Sequence, residues 1–145
     1  MTRRDWVLLL LGLKSARRSP KLDPVRIQKG MFLFAQEAAV QDKEKYAFEP
    51  LHYGPYSREL RRDVEDLVRQ GLAEKRPVPG YTWSEYVLTP AGLGKATALL
   101  STAPQTELRR LFDIKKEITG VPFGTLLRDV YEKYPDFAVN SIFQG

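Results

Sequence analysis

The stretch "YSRELRRDVEDLVRQGLAEKRPVPGYTWSEYVLTPAGLGKATAL", residues 56–99, decides the fold. Its first part reads as an amphipathic helix over residues 57–70. Ser57 stands where an N-cap side chain accepts a free amide. Leu60, Val64 and Leu67 recur along one face. Gly71 occupies the position of a left-handed helix-ending residue, and Leu72 can pack back on Leu67 as in a Schellman ending. Two strand-like segments follow, 72–76 and 81–88, joined across "PVPG" at 77–80, which predicts a hairpin. Thr89-Pro90 then restarts a helix, with a capping threonine ahead of a proline at the first helical position. That helix runs through Ala91, Leu93, Ala96 and Leu99.

Toward the N-terminus, residues 5–14 predict a short apolar helix and residues 17–22 a polar, proline-containing connection. Asp23-Pro24 repeats the cap-then-proline logic. The helix it opens places Ile27, Met31, Phe34 and Ala38 on one face. Residues 41–45 read as a charged loop and 46–53 as extended and aromatic, with Gly54-Pro55 turning the chain. Toward the C-terminus, a helix over 105–119 turns Leu108, Leu111 and Ile118 inward and stops at Gly120. A last helix over 122–134 buries Phe123, Leu126, Leu127, Val130 and Tyr134 and ends at Pro135. The expected class is mostly α with a small β-hairpin. Helix, helix, helix, hairpin, helix is the order of a winged helix-turn-helix core, here residues 1–100, with a C-terminal helical extension, residues 101–145, packed on the same domain.

The 145 residues, 43% apolar and 28% charged, suit one globular domain with its own core. Without cysteine, a disulfide scaffold, a thiolate zinc site and a thiol nucleophile are all excluded. The apolar run at 6–11 is far short of the roughly 18 residues that span a bilayer. No cleavage site follows it, so neither a signal peptide nor a membrane partner is expected and the location reads as cytoplasmic. The lone His52 lies in "HYGPYS", which reads as a tight turn with rings packed around it. One histidine without cysteine makes no usual zinc site. No serine sits in a triad context, and no glycine-rich loop is built to cradle phosphate. The expectation is therefore a protein that is not an enzyme and has no cofactor and no metal.

Charge points to a partner. Residues 1–30 hold eight Lys/Arg against two acids, whereas the other 115 hold 15 against 16. Such a basic cluster favours an anionic partner. In the helix over 57–70 four arginines balance four acids, but the two are sorted. At roughly 100° per residue, Arg58, Arg62 and Arg69 fall opposite the Leu60/Val64/Leu67 stripe, and Arg61 flanks them. Glu59, Asp63 and Asp66 share the other flank, and Glu65 interrupts the basic strip. The candidate DNA-binding set is Arg58, Arg61, Arg62 and Arg69, with Lys75 and Arg76 at the hairpin and Arg3, Arg4, Arg17, Arg18 and Lys21 from the basic cluster. Ion pairing along the helix, such as Glu65–Arg69 at i,i+4, is the competing use of these charges. Tyr46, Phe48, Tyr53 and Tyr56 form a candidate surface for a protein partner.

The run from the "GL" at 71–72 to "LTPAG" at 88–92 resembles winged-helix regulators of the MarR and PadR kind. "RIQKGMFLFAQEA" at 26–38, "FEPLHYGPYSRELRRDVEDLVRQGL" at 48–72 and "VYEKYPDFAVNS" at 130–141 resemble the YwgA-like family. The "IQK" helix followed by a Gly-Pro turn also resembles the SocA-like, or Panacea, antitoxin domain, from which the chain departs at "YSREL". These resemblances imply a winged-helix core and a non-enzymatic role. The first expected function is transcriptional-regulator-like binding of double-stranded DNA. The alternative is a protein-interaction module, with a toxin or a phage- or defence-related protein as partner. A homodimer joined through residues 104–134 would suit a regulator that reads two half-sites.

Overall fold

The computed structural model describes residues 1–14 and 22–143. The chain is mostly helical with two small antiparallel hairpins. In order these are α1 (Arg3–Gly12), α2 (Pro24–Glu37), β1 (Glu49–Leu51), β2 (Gly54–Tyr56), α3 (Arg58–Arg69), β3 (Ala73–Pro77), β4 (Ser84–Leu88), α4 (Pro90–Leu99), α5 (Gln105–Gly120) and α6 (Phe123–Lys133). Short 3-10 turns lie at Asp42–Glu44 and Pro135–Ala138.

The first helix begins two residues earlier than its apolar pattern suggests. Thr2 Oγ1 accepts the Asp5 amide at 3.1 Å, and Asp5 returns the bond to the Thr2 amide at 2.9 Å. This reciprocal box satisfies two free donors at the helix start. Residues 6–11 are all buried, because α2, α4 and α5 pack around them. At the other end of α1, Lys115 Nζ donates to the carbonyls of Leu11, at 3.1 Å, and Leu13. The ammonium meets the negative end of a helix there.

Asp23 caps α2 through the Arg26 amide at 2.9 Å, as its place before Pro24 predicts. The expected stripe of Ile27, Met31, Phe34 and Ala38 is buried, but so are Gln28, Lys29, Gly30, Phe32 and Leu33. A helix covered on nearly every side is the centre of the core. Phe32 alone meets Phe48, Tyr134 and Phe137 edge-on, with centroids 5.4, 5.1 and 4.7 Å away.

α5 is tied to this core along its length. Glu107 accepts the Ala39 amide at 3.1 Å, Lys115 holds the end of α1, and Arg26 donates to the carbonyls of Ile118 and Val121 at 2.9 and 3.1 Å. α6 closes over β2. The helices of the C-terminal third thus add Leu111, Ile114, Ile118, Leu126 and Val130 to the core that α1 and α2 build.

The chain between α2 and α3 differs from its expected reading. Residues 46–53 are not one extended segment ended at Gly54-Pro55. The turn falls at His52-Tyr53, and Gly54 opens a return strand with φ +89°. Pro50 faces Pro55 in the register, so two residues without an N–H share the rung that needs no donor. Past it, α3 follows the sequence closely. Ser57 accepts the Leu60 amide at 3.2 Å, and Leu60, Val64 and Leu67 are buried. Gly71 has φ +74°, and the Leu72 amide reaches the Leu67 carbonyl at 2.9 Å, the long bond of a Schellman ending.

β3 and β4 pair from Ala73↔Leu88 to Pro77↔Ser84, so Tyr81 and Trp83 belong to the turn rather than to a strand. Leu22 adds a one-residue third bridge, exchanging both backbone bonds with Tyr86 at 3.0 and 2.8 Å. The base of this hairpin is welded to α4. Thr89 Oγ1 accepts the Gly92 amide at 3.1 Å and donates to the Gly71 carbonyl at 2.6 Å. A Cβ at Gly92 would collide with the backbone carbonyl of Leu72. "GL" at 71–72 and "TPAG" at 89–92 are therefore two halves of one contact.

Candidate functional site

α3 is the element around which charge and exposure concentrate, and its position is set by α2. Gln28 clamps the backbone of Ser57 from both sides, donating to its carbonyl at 2.9 Å and accepting its amide at 2.8 Å. Lys29 Nζ donates to the Pro55 carbonyl at 2.9 Å. Three consecutive residues of α2 thus divide the work: Ile27 packs in the core, Gln28 sets the register of α3, and Lys29 anchors the first hairpin. The sequence carried a signal for this. Polar residues inside a helix as apolar as 27–34 have no solvent face to occupy.

The acidic flank of α3 turns toward the start of the chain. Arg3 donates to Glu59 at 2.5 Å, and Arg4 to Asp63 and Asp66, both at 2.9 Å. The Tyr46 hydroxyl donates to Asp63 at 2.6 Å. Burial first, and then this bond, push the Tyr46 phenol well above its ordinary value. Arg3 and Arg4 are thereby engaged inside the molecule.

The outer face of α3 stays open. Arg58 and Arg69 side chains are 75% and 69% exposed, and Arg62 is exposed as well. Arg58 lies 3.9 Å from the exposed Glu49, Arg69 pairs with Asp66, and Arg62 makes no ion pair among the described residues. The third face looks toward the second hairpin. Glu65 accepts the Tyr86 hydroxyl at 2.6 Å and lies 3.4 Å from Lys75 Nζ. The Tyr86 bond, then the Lys75 charge, hold its carboxyl below the ordinary range, against some desolvation. Arg76 turns to Glu74 at 2.7 Å. Arg17, Arg18 and Lys21 lie outside the described residues.

The four aromatic candidates separate. Tyr46 is only 4% exposed, and Phe48 packs edge-on against Phe32, so both serve the interior. Tyr56 is half-buried, and Tyr53 is exposed at the turn of the first hairpin. The reason is the unforeseen β1–β2 pair, which folds the aromatic segment back on itself instead of laying it along the surface.

Between α2, the first hairpin, α3 and the second hairpin lies a cavity of about 570 Å³. Its walls include Ile27, Leu60 and Val64, rings from Tyr53, Trp83 and Tyr86, and the cations Lys29, Arg61 and Lys75. Sequence reasoning did not find this site, because its walls come from five separate segments. Among the described residues, no three His, Asp or Glu side chains converge as a metal-binding group, and no helix is long and apolar enough to cross a membrane. The chain matches no protein-family model and no curated protein.

Proposed function

We propose that the chain is a winged-helix recognition domain that binds double-stranded DNA, with α3 as the helix that enters a groove and the β3–β4 hairpin as the wing. The observation that carries this is the sorting of charge on α3. Its acids Glu59, Asp63 and Asp66 are drawn toward Arg3, Arg4 and Tyr46, while Arg58, Arg62 and Arg69 stand on the exposed outer face. A helix neutral in total thereby presents a basic edge to phosphates and base edges. The Leu22 bridge supports the winged-helix reading, because it pairs one residue between α1 and α2 with the β3–β4 hairpin. The span between α2 and α3, with its own hairpin, is longer than the turn of a simple helix-turn-helix. Kinship with the YwgA-like family, and pairing of two copies on two half-sites, belong to the same proposal.

Fluorescence anisotropy with a mixed-sequence duplex across a salt series tests it. Affinity falls steeply with salt, and replacing Arg58, Arg62 and Arg69 together by Ala flattens the logarithmic salt slope by about 3. Because all three are exposed, circular dichroism and melting remain close to the parent's. A triple variant that binds as tightly and as salt-dependently as the parent removes α3 from the interface. The second reading, a toxin- or phage-related protein partner, draws on Tyr53, the most exposed of the four aromatic candidates. It predicts a stoichiometric complex that Tyr53→Ala weakens and salt barely affects.

A further inference from the structure

We infer that the tip of the second hairpin is a stacking platform for unpaired nucleobases, so that the nucleic acid the chain prefers is a duplex ending in single strand. The platform extends the DNA reading, on which only its duplex half rests.

The tip is exposed yet locally fixed. Residues 78–81 form a turn closed by the Tyr81 amide on the Val78 carbonyl at 3.1 Å, with Gly80 at φ +83°. Proline followed by a glycine at positive φ is the type II arrangement, and Pro79 presets its backbone. The Val78 amide reaches the Trp83 carbonyl at 3.3 Å and closes the loop behind the turn. Backbone thus closes this hairpin without help from the rings of Tyr81 and Trp83. The two rings nevertheless lie against each other, centroids 4.2 Å apart and planes 33° from parallel, and they stay 61% and 45% exposed. The chain's other tryptophan, Trp6, is fully buried. A ring pair already held in place loses little freedom when something stacks on it.

The charges nearby select the occupant. Within residues 73–88, Lys75 and Arg76 are balanced by Glu74 and Glu85, so the hairpin by itself has no pull on a polyanion. The pull comes from α3. Arg61 shares a concave wall with Trp83 and Lys75, and Arg58, Arg62 and Arg69 stand on the outer face of the same helix. A duplex held by these arginines offers base edges in its grooves but keeps its base faces inside the stack. Faces come free where the pairing ends. Every base has a π face, so stacking on an aromatic side chain tolerates any sequence. Arginines on α3 then hold phosphates while the tip takes the first unpaired base.

Three probes test this on the whole protein: a blunt duplex, the same duplex with a short oligothymidylate tail, and free oligothymidylate of about ten nucleotides. In anisotropy the tail strengthens binding about tenfold, and the gain persists at high salt, because stacking releases no counterions. Oligothymidylate quenches the fluorescence of the exposed Trp83, whereas heparin, a polyanion without bases, does not. Trp83→Ala abolishes the gain from the tail and leaves blunt-duplex affinity within about twofold, and Trp83→Phe restores most of the gain. Thermal melting shows both variants folded as the parent is. Equal binding of tailed and blunt duplex, equal quenching by heparin, or a gain that survives Trp83→Ala overturns the platform. Blunt-duplex binding with no gain from the tail removes the platform and leaves the DNA reading standing. Oligothymidylate binding that Trp83→Ala weakens, in a protein that ignores blunt duplex, supports the platform and removes the duplex reading.

Discussion

The first hairpin, residues 49–56, and the second, residues 73–88, are both antiparallel pairs flanking α3, yet they are held in opposite ways. The first is gripped by α2. Lys29 holds the carbonyl of Pro55, Gln28 holds Ser57 just beyond it, and Gly54 and Pro55 are buried. The second is held at its base, where Gly71, Leu72, Thr89 and Gly92 interlock, and at its middle, where Tyr86 bonds Leu22 and Glu65, while residues 79–83 at its tip are exposed. The first hairpin leads into α3, whose first turn α2 positions through Ser57, and the second places Ala73 and Tyr86 in the core while its tip stays exposed.

The most disruptive way to break this contrast is Gly92→Ala. The added methyl meets backbone, which cannot rotate aside, so the interlock at the base of the second hairpin is lost. Chemical denaturation should show a loss of about 3 kcal/mol or more. The same substitution at Gly94, where a Cβ meets open space, should be neutral or slightly stabilising, since alanine is the better helix former.

Gln28→Ala attacks the first hairpin instead. It strips both partners from the buried backbone of Ser57 and should cost about 2 kcal/mol. Gln28→Glu keeps the acceptor for the Ser57 amide, but as a carboxylate it has no donor for the Ser57 carbonyl and places a charge in the core, so it should not rescue at neutral pH. A Gln28→Ala protein as stable as the parent would mean that the first hairpin holds itself.

Alkaline titration separates the two hairpins by chemistry. Below pH 8, Lys29 is protonated whether folded or not, and the cost of burying its charge is present in full. Between about 8 and 10.5 the folded chain releases a proton that the unfolded chain retains, so stability rises with pH. Lys115, also lowered to about 8 by burial, adds to the rise. Above pH 10 the trend reverses, because Tyr46 and Tyr86 hold their protons in the fold and lose them more readily when unfolded. Melting temperature should therefore climb from pH 7.5 to a maximum near 10. The share due to Lys29, about 2 kcal/mol by pH 9.5, should disappear in Lys29→Met. A melting curve flat over that range would contradict the burial of both lysines.

The smallest effect belongs to the tip of the second hairpin. Tyr81, 61% exposed and touching Trp83, can be replaced by Ser at a cost within about 0.5 kcal/mol. A larger loss would show that the tip packs on something and is not a free arm.

The same contrast explains which parts were legible in the sequence. The second hairpin, α3 and the start of α4 announce themselves through local chemistry: Ser57, Gly71 and Thr89-Pro90 each act within a few residues of their position. The first hairpin gave no such signal. Its return strand begins with Gly-Pro, a turn signature, and what makes it a strand is a pair of side chains 26 and 29 residues upstream of the groups they hold. The paired use of Arg3 and Arg4 was hidden for the same reason. Their partners lie 56 to 62 residues away, and composition records only that a basic cluster exists.

By itself the sequence determined the helical majority, the caps and stops, the second hairpin and the sorting of acids and bases around α3, since all of these follow from periodicity and contacts within one or two turns of chain. Only the tertiary structure decided which of those charges are engaged internally, that Tyr46 and Phe48 face inward, and that five segments enclose a cavity with Lys29 in its wall. Burial is a property of what packs above a residue, and that neighbour is supplied by chain far away in sequence.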